Sequence, residues 1–141
     1  MTALARLVLA GLLASLVLAS LGCTAGGGAP KLDGTGWTLT GWSASSLDPV
    51  DFKITAIFED GRIGGNSGVN SYGGDYKSGS AGSFEVGEIV STLMAGPEPA
   101  MRAETIYTDL LKQAREYGVE GDTLTLSDAN GNQLLIFTAT K

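Results

Sequence analysis

Short segments in which apolar and polar residues alternate, separated by glycine turns, constrain the fold of this 141-residue chain more than any other feature. In residues 51–59 the apolar side chains occupy every second position, as Phe52, Ile54, Ala56 and Phe58. A period of two is typical of a strand with one buried face. Asp60-Gly61 follows directly and predicts a tight hairpin turn. These patterns favour an antiparallel sheet over a helical bundle.

The same pattern predicts seven or eight short strands in all. Further strands are expected at 36–43, 62–64, 75–77, 83–86, 89–93, 117–120, 123–127 and 133–139. Of the 21 glycines, eight lie in residues 61–82. Such density in strand-forming sequence indicates turns, bulges or close approach of the backbone, and we assign these glycines a structural role.

One segment, about residues 98–116, has the periodicity of an amphipathic helix, with Ala103, Tyr107, Leu110 and Ala114 on one face. Gly118 is expected to end it. One helix with many short strands predicts an α+β fold. A strongly curved antiparallel sheet or partly closed barrel is expected, because curvature leaves fewer open edges.

Composition excludes several classes of function. The chain has no histidine, which removes His-dependent catalysis and the commonest nitrogen ligand for zinc. Its single cysteine allows no internal disulfide. After Cys23 there are eight basic and 15 acidic residues, a formal charge of −7, which argues against nucleic acid as a partner. We therefore expect that the protein binds no metal and no cofactor and is not an enzyme.

The N-terminus predicts export. Leu7–Leu21 is an uncharged apolar stretch that follows Arg6, and it is too short for a comfortable membrane span of about 20 residues. This layout is typical of a secretory signal peptide, assigned to residues 1–22. Residues 23–31 are rich in small residues and glycine and are interpreted as a flexible tether.

Ser20-Leu21-Gly22-Cys23 resembles the lipobox of bacterial lipoproteins, with Ser20 at the place where leucine is usual. The resemblance implies that the Cys23 thiol is the lipid attachment site and that Cys23 becomes the mature N-terminus. More than one acyl chain would give stable membrane anchoring, on the outer membrane if the host has two. The alternatives are ordinary cleavage after Ala25 and an uncleaved anchor through Pro30.

Four motifs follow one another along the body of the chain: Leu32, Gly34, Thr35, Trp37 and Leu39; Gly61, Arg62, Ile63, Gly65, Asn66, Gly68, Asn70 and Tyr72; Ser91, Thr92, Met94, Ala95, Glu98, Ala100, Met101 and Glu104; and Leu124 and Leu126. In order and spacing they resemble the META domain, the HslJ-like family of bacterial envelope proteins. The resemblance covers about residues 32–138, and we assign the domain to 32–141. It implies a compact α+β domain, often on a lipoprotein, associated with stress tolerance, with no established reaction.

Family members often have cysteines where this chain has Val69 and Gly96. If those cysteines pair in relatives, Val69 and Gly96 are expected to be neighbours here. Glu104 also belongs to the family pattern, although its place near the helix start already has a sufficient reason in the helix dipole.

Function is expected to be non-catalytic: a lipid-anchored module that binds an envelope protein or cell-wall component, or that supports stress tolerance. The alternative is an exported carrier that holds a small ligand in the barrel mouth. A weaker alternative is a hydrolase that uses carboxylates alone. Asn66 and Asn70 are expected to hold loops. Tyr72, Tyr76 and the two tryptophans are expected to pack, although they also suit a sugar or peptide groove.

Overall fold

The computed structural model describes residues 27–141, so the predicted signal peptide and Cys23 lie outside the described residues. The described part contains nine strands and one α-helix. The strands are β1 (Thr35–Trp42), β2 (Thr55–Glu59), β3 (Arg62–Asn66), β4 (Ser71–Ser78), β5 (Phe84–Val86), β6 (Val90–Ser91), β7 (Glu116–Glu120), β8 (Thr123–Ser127) and β9 (Gln133–Ala139); the helix α1 (Glu98–Gln113) lies between β6 and β7.

All neighbouring strands are antiparallel and follow the order β5-β4-β3-β2-β1-β9-β8-β7. The two ends of this sheet meet where Ser83 bridges Glu116 and the Tyr117 amide donates to the Gly82 carbonyl at 2.8 Å. The sheet is therefore a nearly closed barrel, and the predicted α+β fold with a curved sheet is confirmed.

Strand β4 has two partners along one edge. Its C-terminal half pairs with β5, as in Tyr76 with Val86, and its N-terminal half pairs with β6, as in Gly73 with Val90. The chain from residue 84 onward thus runs antiparallel along the length of β4 before it turns into α1.

The core fills the inside of the barrel. The helix stripe predicted from the sequence is buried, and Tyr107 at its centre is fully inaccessible to solvent. Aromatic rings from facing strands meet edge to face, for example Phe58 with Tyr76 at 4.9 Å between ring centroids. Each buried side chain of this size contributes roughly 1.5–3 kcal/mol to stability. The buried face of α1 completes the core.

The predicted second strand was too long. Residues Pro49–Phe52 form a 3₁₀ turn, in which the Asp48 side chain accepts a hydrogen bond from the Val50 amide. Lys53 then adopts a left-handed conformation, with φ of 50°. Strand β2 therefore begins at Thr55, because the alternation before it belongs to this turn.

The helix was also predicted to extend too far. It ends at Gln113 instead of about 116, and Gly118 lies inside β7. The Arg115 amide donates to Ser127 and the Arg115 carbonyl accepts from Phe84, both at 2.8 Å. The backbone amide and carbonyl that a further helical turn would need are therefore hydrogen bonded in the sheet.

Two further predictions were wrong in extent. The strand expected at 75–77 is the eight-residue β4, and the one expected at 89–93 is the two-residue β6. The Asp60-Gly61 hairpin is confirmed, with positive φ at both residues as a tight primed turn requires. Strands β8 and β9 match their predicted bounds.

Candidate functional site

A buried asparagine connects the β3–β4 hairpin to the segment before the helix. Asn70 has 3% of its surface exposed and uses all of its side-chain hydrogen-bonding capacity. Its Oδ1 accepts from the Met94 amide at 2.7 Å and from Thr92 Oγ1 at 2.8 Å. Its Nδ2 donates to the Met94 carbonyl at 3.2 Å and to Glu104 Oε1 at 2.8 Å. The segment around Met94 is thus fixed by a side chain 24 residues earlier.

The Glu104 carboxylate holds the hairpin that carries Asn70. Glu104 Oε2 accepts hydrogen bonds from Ser67 Oγ at 2.6 Å and from the amides of Asn70 at 2.8 Å and Val69 at 3.3 Å. Desolvation acts to raise the pKa of Glu104. The hydrogen bonds from Ser67, Asn70 and Val69 outweigh it and hold the pKa below its ordinary value. The carboxylate therefore stays ionised at neutral pH.

The hairpin itself is shaped for this contact. Asn66 Oδ1 accepts from the Gly68 amide at 2.8 Å, which closes a local turn. Gly68 has φ of 125°, and a Cβ there would lie 3.1 Å from the Ala100 carbonyl oxygen of α1. A side chain at this position would therefore push the hairpin away from Glu104.

We call residues 88–97 the edge segment. Although it is fixed through Asn70, residues 92–97 are all exposed, and three of its large apolar side chains point to solvent. Leu93 is 97% exposed, Val90 68% and Met94 63%. Met101, on the first turns of α1, adds a further exposed apolar side chain. Several exposed large apolar side chains on a rigid support are typical of an interaction site.

The backbone of the edge segment is paired on one side. The Thr92 amide donates to the Ser71 carbonyl at 3.0 Å, and the Met94 amide donates to Asn70, so both face β4. The amides and carbonyls of Leu93 and Ala95 make no hydrogen bond within residues 27–141. The other side of the edge segment therefore presents open backbone groups.

A shallow groove adjoins the edge segment on the outer wall of the barrel. Ile57, Gly64, Gly73 and Val90 pair in register across four strands, so two glycines form a floor between two exposed apolar side chains. The groove holds about 400 Å³ and is lined by Ile57, Gly64 and Gly73 together with charged side chains of the β2–β3 hairpin.

The other residues of the predicted motifs lie elsewhere and support the core. Gly34, Thr35 and Trp37 lie together at the start of β1, where Trp37 Nε1 donates to Thr35 Oγ1 at 2.7 Å and Thr35 Oγ1 donates to the Leu32 carbonyl. A Cβ at Gly65 would lie 2.5 Å from the Thr55 carbonyl oxygen. These residues are therefore packing determinants.

Tyr72 and Tyr107 form a buried pair inside the barrel. Their hydroxyl groups are hydrogen bonded to each other, and Tyr72 also donates to the Thr55 carbonyl at 2.9 Å. Burial raises the pKa of both phenols, so both remain protonated. Trp37 and Tyr76 are also buried, and Trp42 is partly buried against the core, which agrees with the packing role expected for these aromatics.

Val69 and Gly96 are in contact, as expected if their counterparts pair in relatives. A Cβ at Gly96 would lie 2.8 Å from Val69 Cγ2. Within residues 27–141 no group of three or more acidic or sulfur ligands could hold a metal ion. In the same part of the chain, no helix has the length and apolar character needed to cross a membrane.

Sequence reasoning missed the residues that complete this site. It gave no role to Ser67 and assigned Leu93 to a strand. It placed Glu104 in the family pattern but found a sufficient reason for it in the helix dipole. The available signal was Leu93-Met94, two large apolar residues directly before the turn-forming Ala95-Gly96-Pro97. Large apolar side chains directly before such a turn are expected to lie on the surface and not in the core.

A nearly closed antiparallel barrel, completed by one helix and carrying a surface segment fixed by a buried asparagine that pairs with a helix glutamate, defines a class of small α+β domains. The chain belongs to the META domain family, whose model matches residues 30–141. A comparison with curated proteins found no match.

Solved structures share the fold. A protein from Burkholderia xenovorans, solved by NMR, is similar with a TM-score of 0.65 and 26% identity over 78% of this chain and 84% of that one. A DUF4847 family protein from Bacteroides vulgatus, solved by crystallography, has a TM-score of 0.60 and 12% identity over 78% of this chain and 95% of its own. The likeness to the second shows the fold alone.

Proposed function

We propose that this chain is a lipid-anchored envelope protein that binds another envelope component and catalyses no reaction. The observation that carries the proposal is the edge segment, in which Leu93 is 97% exposed while its neighbours Thr92 and Met94 are hydrogen bonded to the buried Asn70. Such exposure has no stabilising role in the isolated domain. It is consistent with a surface that another molecule covers.

The place where the chain enters the domain supports an anchored orientation. The Ala29 amide donates to the Ser80 carbonyl at 2.6 Å, and Tyr117 Oη donates to the Pro30 carbonyl at 2.7 Å. Ser80 follows the C-terminal end of β4, whereas Thr92 lies beside Ser71 at its N-terminal end. At about 3.3 Å per residue, these ends are roughly 23 Å apart.

With this geometry, an anchor at Cys23 would lie far from the proposed binding surface. The five residues between Cys23 and Ala29 reach at most about 20 Å, so they would keep the Ser80 end of the barrel near the membrane. The edge segment would then point away from the lipid, toward proteins or cell wall. Support of stress tolerance would follow from that contact.

The chemistry of the Glu104 carboxylate supports a non-catalytic role. Glu104 is occupied by four donors, and its pKa is lowered rather than raised. A general acid needs the opposite shift. The hydrogen bonds of Glu104 to the β3–β4 hairpin give this residue a structural role that requires no catalytic one.

The intact mass of the protein from the membrane fraction, beside that of Cys23→Ala, tests the anchor. We expect a chain that begins at Cys23 and is heavier by its acyl groups, and we expect the variant to lack this mass. An unmodified chain that begins near Gly26 would contradict lipid anchoring and leave an exported, untethered domain.

The binding role is tested by substitution at two exposed apolar positions in a strain that depends on this protein for heat tolerance. We expect Leu93→Asp to lose tolerance and Val50→Asp, 54% exposed on the 3₁₀ turn, to keep it. Full tolerance with Leu93→Asp at wild-type abundance would contradict a role for the edge segment.

A further inference from the structure

We propose that Met94 is a reversible oxidation site, at which a peroxide converts the thioether to a sulfoxide and makes the edge segment more polar. The inference rests on the proposed binding function and adds its regulation. Three features carry it: the exposure of Met94, the burial of most other side chains that oxidants attack, and the way in which the backbone of Met94 is fixed.

Met94 places its thioether in solvent. The residue is 63% exposed, although its amide donates to Asn70 Oδ1 at 2.7 Å and its carbonyl accepts from Asn70 Nδ2 at 3.2 Å. Because both of these backbone groups face Asn70, the exposed surface belongs mainly to the side chain. A thioether in this position is accessible to small oxidants in solution.

Most other side chains that oxidants attack are withdrawn from solvent. All four tyrosines are buried, and so is Trp37. Trp42 is half-buried, and its indole nitrogen donates to the Leu47 carbonyl at 2.9 Å. Residues 27–141 contain no cysteine and one further methionine, Met101, which is 37% exposed. The oxidisable surface is therefore concentrated in the edge segment and the first turns of α1.

The reaction needs no catalytic group from the protein. The sulfur lone pair attacks one oxygen of hydrogen peroxide, the O–O bond breaks, and the sulfur is oxidised by two electrons. The departing hydroxide takes the proton from the transferred oxygen, so the products are the sulfoxide and water. Methionine sulfoxide reductases reverse the change: two thiols become a disulfide and the sulfoxide oxygen leaves as water.

The fold tolerates the added oxygen. Only the amide and the carbonyl of Met94 take part in the hydrogen bonds to Asn70, and the core cluster of residues 27–141 contains no methionine. A sulfoxide oxygen in solvent stays hydrated, so it carries none of the cost of a buried unpaired polar group. Oxidation of Met94 therefore changes the surface and leaves the packing as it is.

Oxidation changes the property on which the proposed contact depends. Met94 follows the 97% exposed Leu93, so the two side chains belong to the same exposed part of the edge segment. An unbranched thioether adapts its shape to an apolar neighbour, whereas a sulfoxide is polar and has to be desolvated on contact. The same rigid segment thus has two surface states, and the oxidised state binds an apolar partner more weakly.

The first experiment follows oxidation of the purified full chain by hydrogen peroxide. Mass spectrometry of proteolytic peptides gives the rate of sulfoxide formation at Met94 and at Met101. We expect Met94 to react at least about twofold faster, because it is the more exposed of the two. The urea midpoint of the oxidised protein should lie within about 0.3 M of that of the untreated protein. A methionine sulfoxide reductase should restore the original mass.

Matched variants connect the modification to the binding role, in the strain that depends on this protein for heat tolerance. Met94→Gln carries a polar group in place of the sulfoxide, and we expect it to lose tolerance as Leu93→Asp does. Met94→Leu stays apolar and cannot be oxidised, so it should keep tolerance at a peroxide concentration at which the wild type loses it. Met101→Leu is the control and should remain sensitive to peroxide.

The outcomes distinguish this inference from the proposed function. Oxidation of Met94 no faster than that of Met101, or loss of the fold on oxidation, overturns the inference alone. If Leu93→Asp loses tolerance while Met94→Gln keeps it, the binding function stands and oxidation does not control it. If Met94→Gln does not fold, equal peroxide sensitivity of Met94→Leu and the wild type overturns the inference. Full tolerance with both Leu93→Asp and Met94→Gln contradicts both proposals.

Discussion

Two exposed loops of this domain are ordered by opposite means. The turn between β8 and β9 is held by its own first residue: Asp128 accepts from the amides of Asn130 and Asn132, at 2.8 and 2.9 Å, and from the Asn132 side chain at 2.9 Å. The edge segment supplies few such contacts and is held by Asn70, which Glu104 holds in turn.

The difference teaches where each loop gets its rigidity. A turn that carries its own acceptor is fixed by local chemistry and stays polar and separate from the core. A loop fixed from a distance needs few of its own side chains to hold it: in the edge segment the Thr92 hydroxyl bonds to Asn70 and to the Ser71 amide, whereas Leu93 and Met94 have no such role. The edge segment can therefore expose Leu93 and Met94.

Removing the distant support gives the largest expected effect. Asn70→Ala deletes all four side-chain hydrogen bonds at a buried position and leaves the Glu104 carboxylate short of a donor. We expect a loss of about 3 kcal/mol in the free energy of unfolding, measured by urea denaturation. Faster amide exchange at Met94 should accompany it. Wild-type exchange at Met94 in this variant would show that the edge segment is held by other contacts.

Removing the charge but keeping the shape should cost less. Glu104→Gln retains one acceptor oxygen and weakens the hydrogen bonds from Ser67, Val69 and Asn70, because a charged acceptor is stronger than a neutral one. We expect a loss of about 2 kcal/mol by the same denaturation. Glu98→Gln on the same helix is the control, and its effect should be within about 0.5 kcal/mol.

Acid should narrow the gap between wild type and Glu104→Gln. Because folding lowers the pKa of Glu104, its contribution is fully present above the ordinary glutamate pKa of about 4.3, and it is lost as the pH falls through the lower pKa of the folded state. We expect the difference in unfolding free energy to shrink as the pH falls from 6 to 3. A constant difference would show that the carboxylate charge does not stabilise the hairpin.

The local turn should give the smallest effect. Hydrogen bonds from Asn132 lower the pKa of Asp128, but the side chain is fully exposed. Asp128→Ala should therefore lower the Tm by about 2 °C or less and leave the exchange of Met94 unchanged. A larger decrease in Tm would mean that the β8–β9 turn, and not the edge segment, limits stability.

Sequence patterns predicted the parts of the fold that depend on nearby residues. The alternation in 123–127 and 133–139 located two strands, and Asp60-Gly61 located a hairpin, because register and turn chemistry are written within a few residues. The start of α1 was predicted at Glu98 for the same reason.

What the sequence could not predict depends on distant partners. The helix ends early because Arg115 pairs with Phe84 and Ser127, which no window around residue 115 contains. Glu104 has a local reason at a helix start, and its main contacts with the hairpin 34 to 37 residues earlier could not be read from spacing. The motif pattern marked Asn70 and Glu104 together without indicating that they touch.

The position of β1 has a consequence for how the chain folds as it is made. Strand β1 forms early in synthesis, yet one of its two neighbours is β9, at the end of the chain. Closing a loop of about 100 residues is entropically unfavourable and slow, and here it must wait until the last strand exists. The barrel therefore closes only once β9 is available. Until then the inner face of β1, with Trp37 and Leu39, has only half of its sheet contacts.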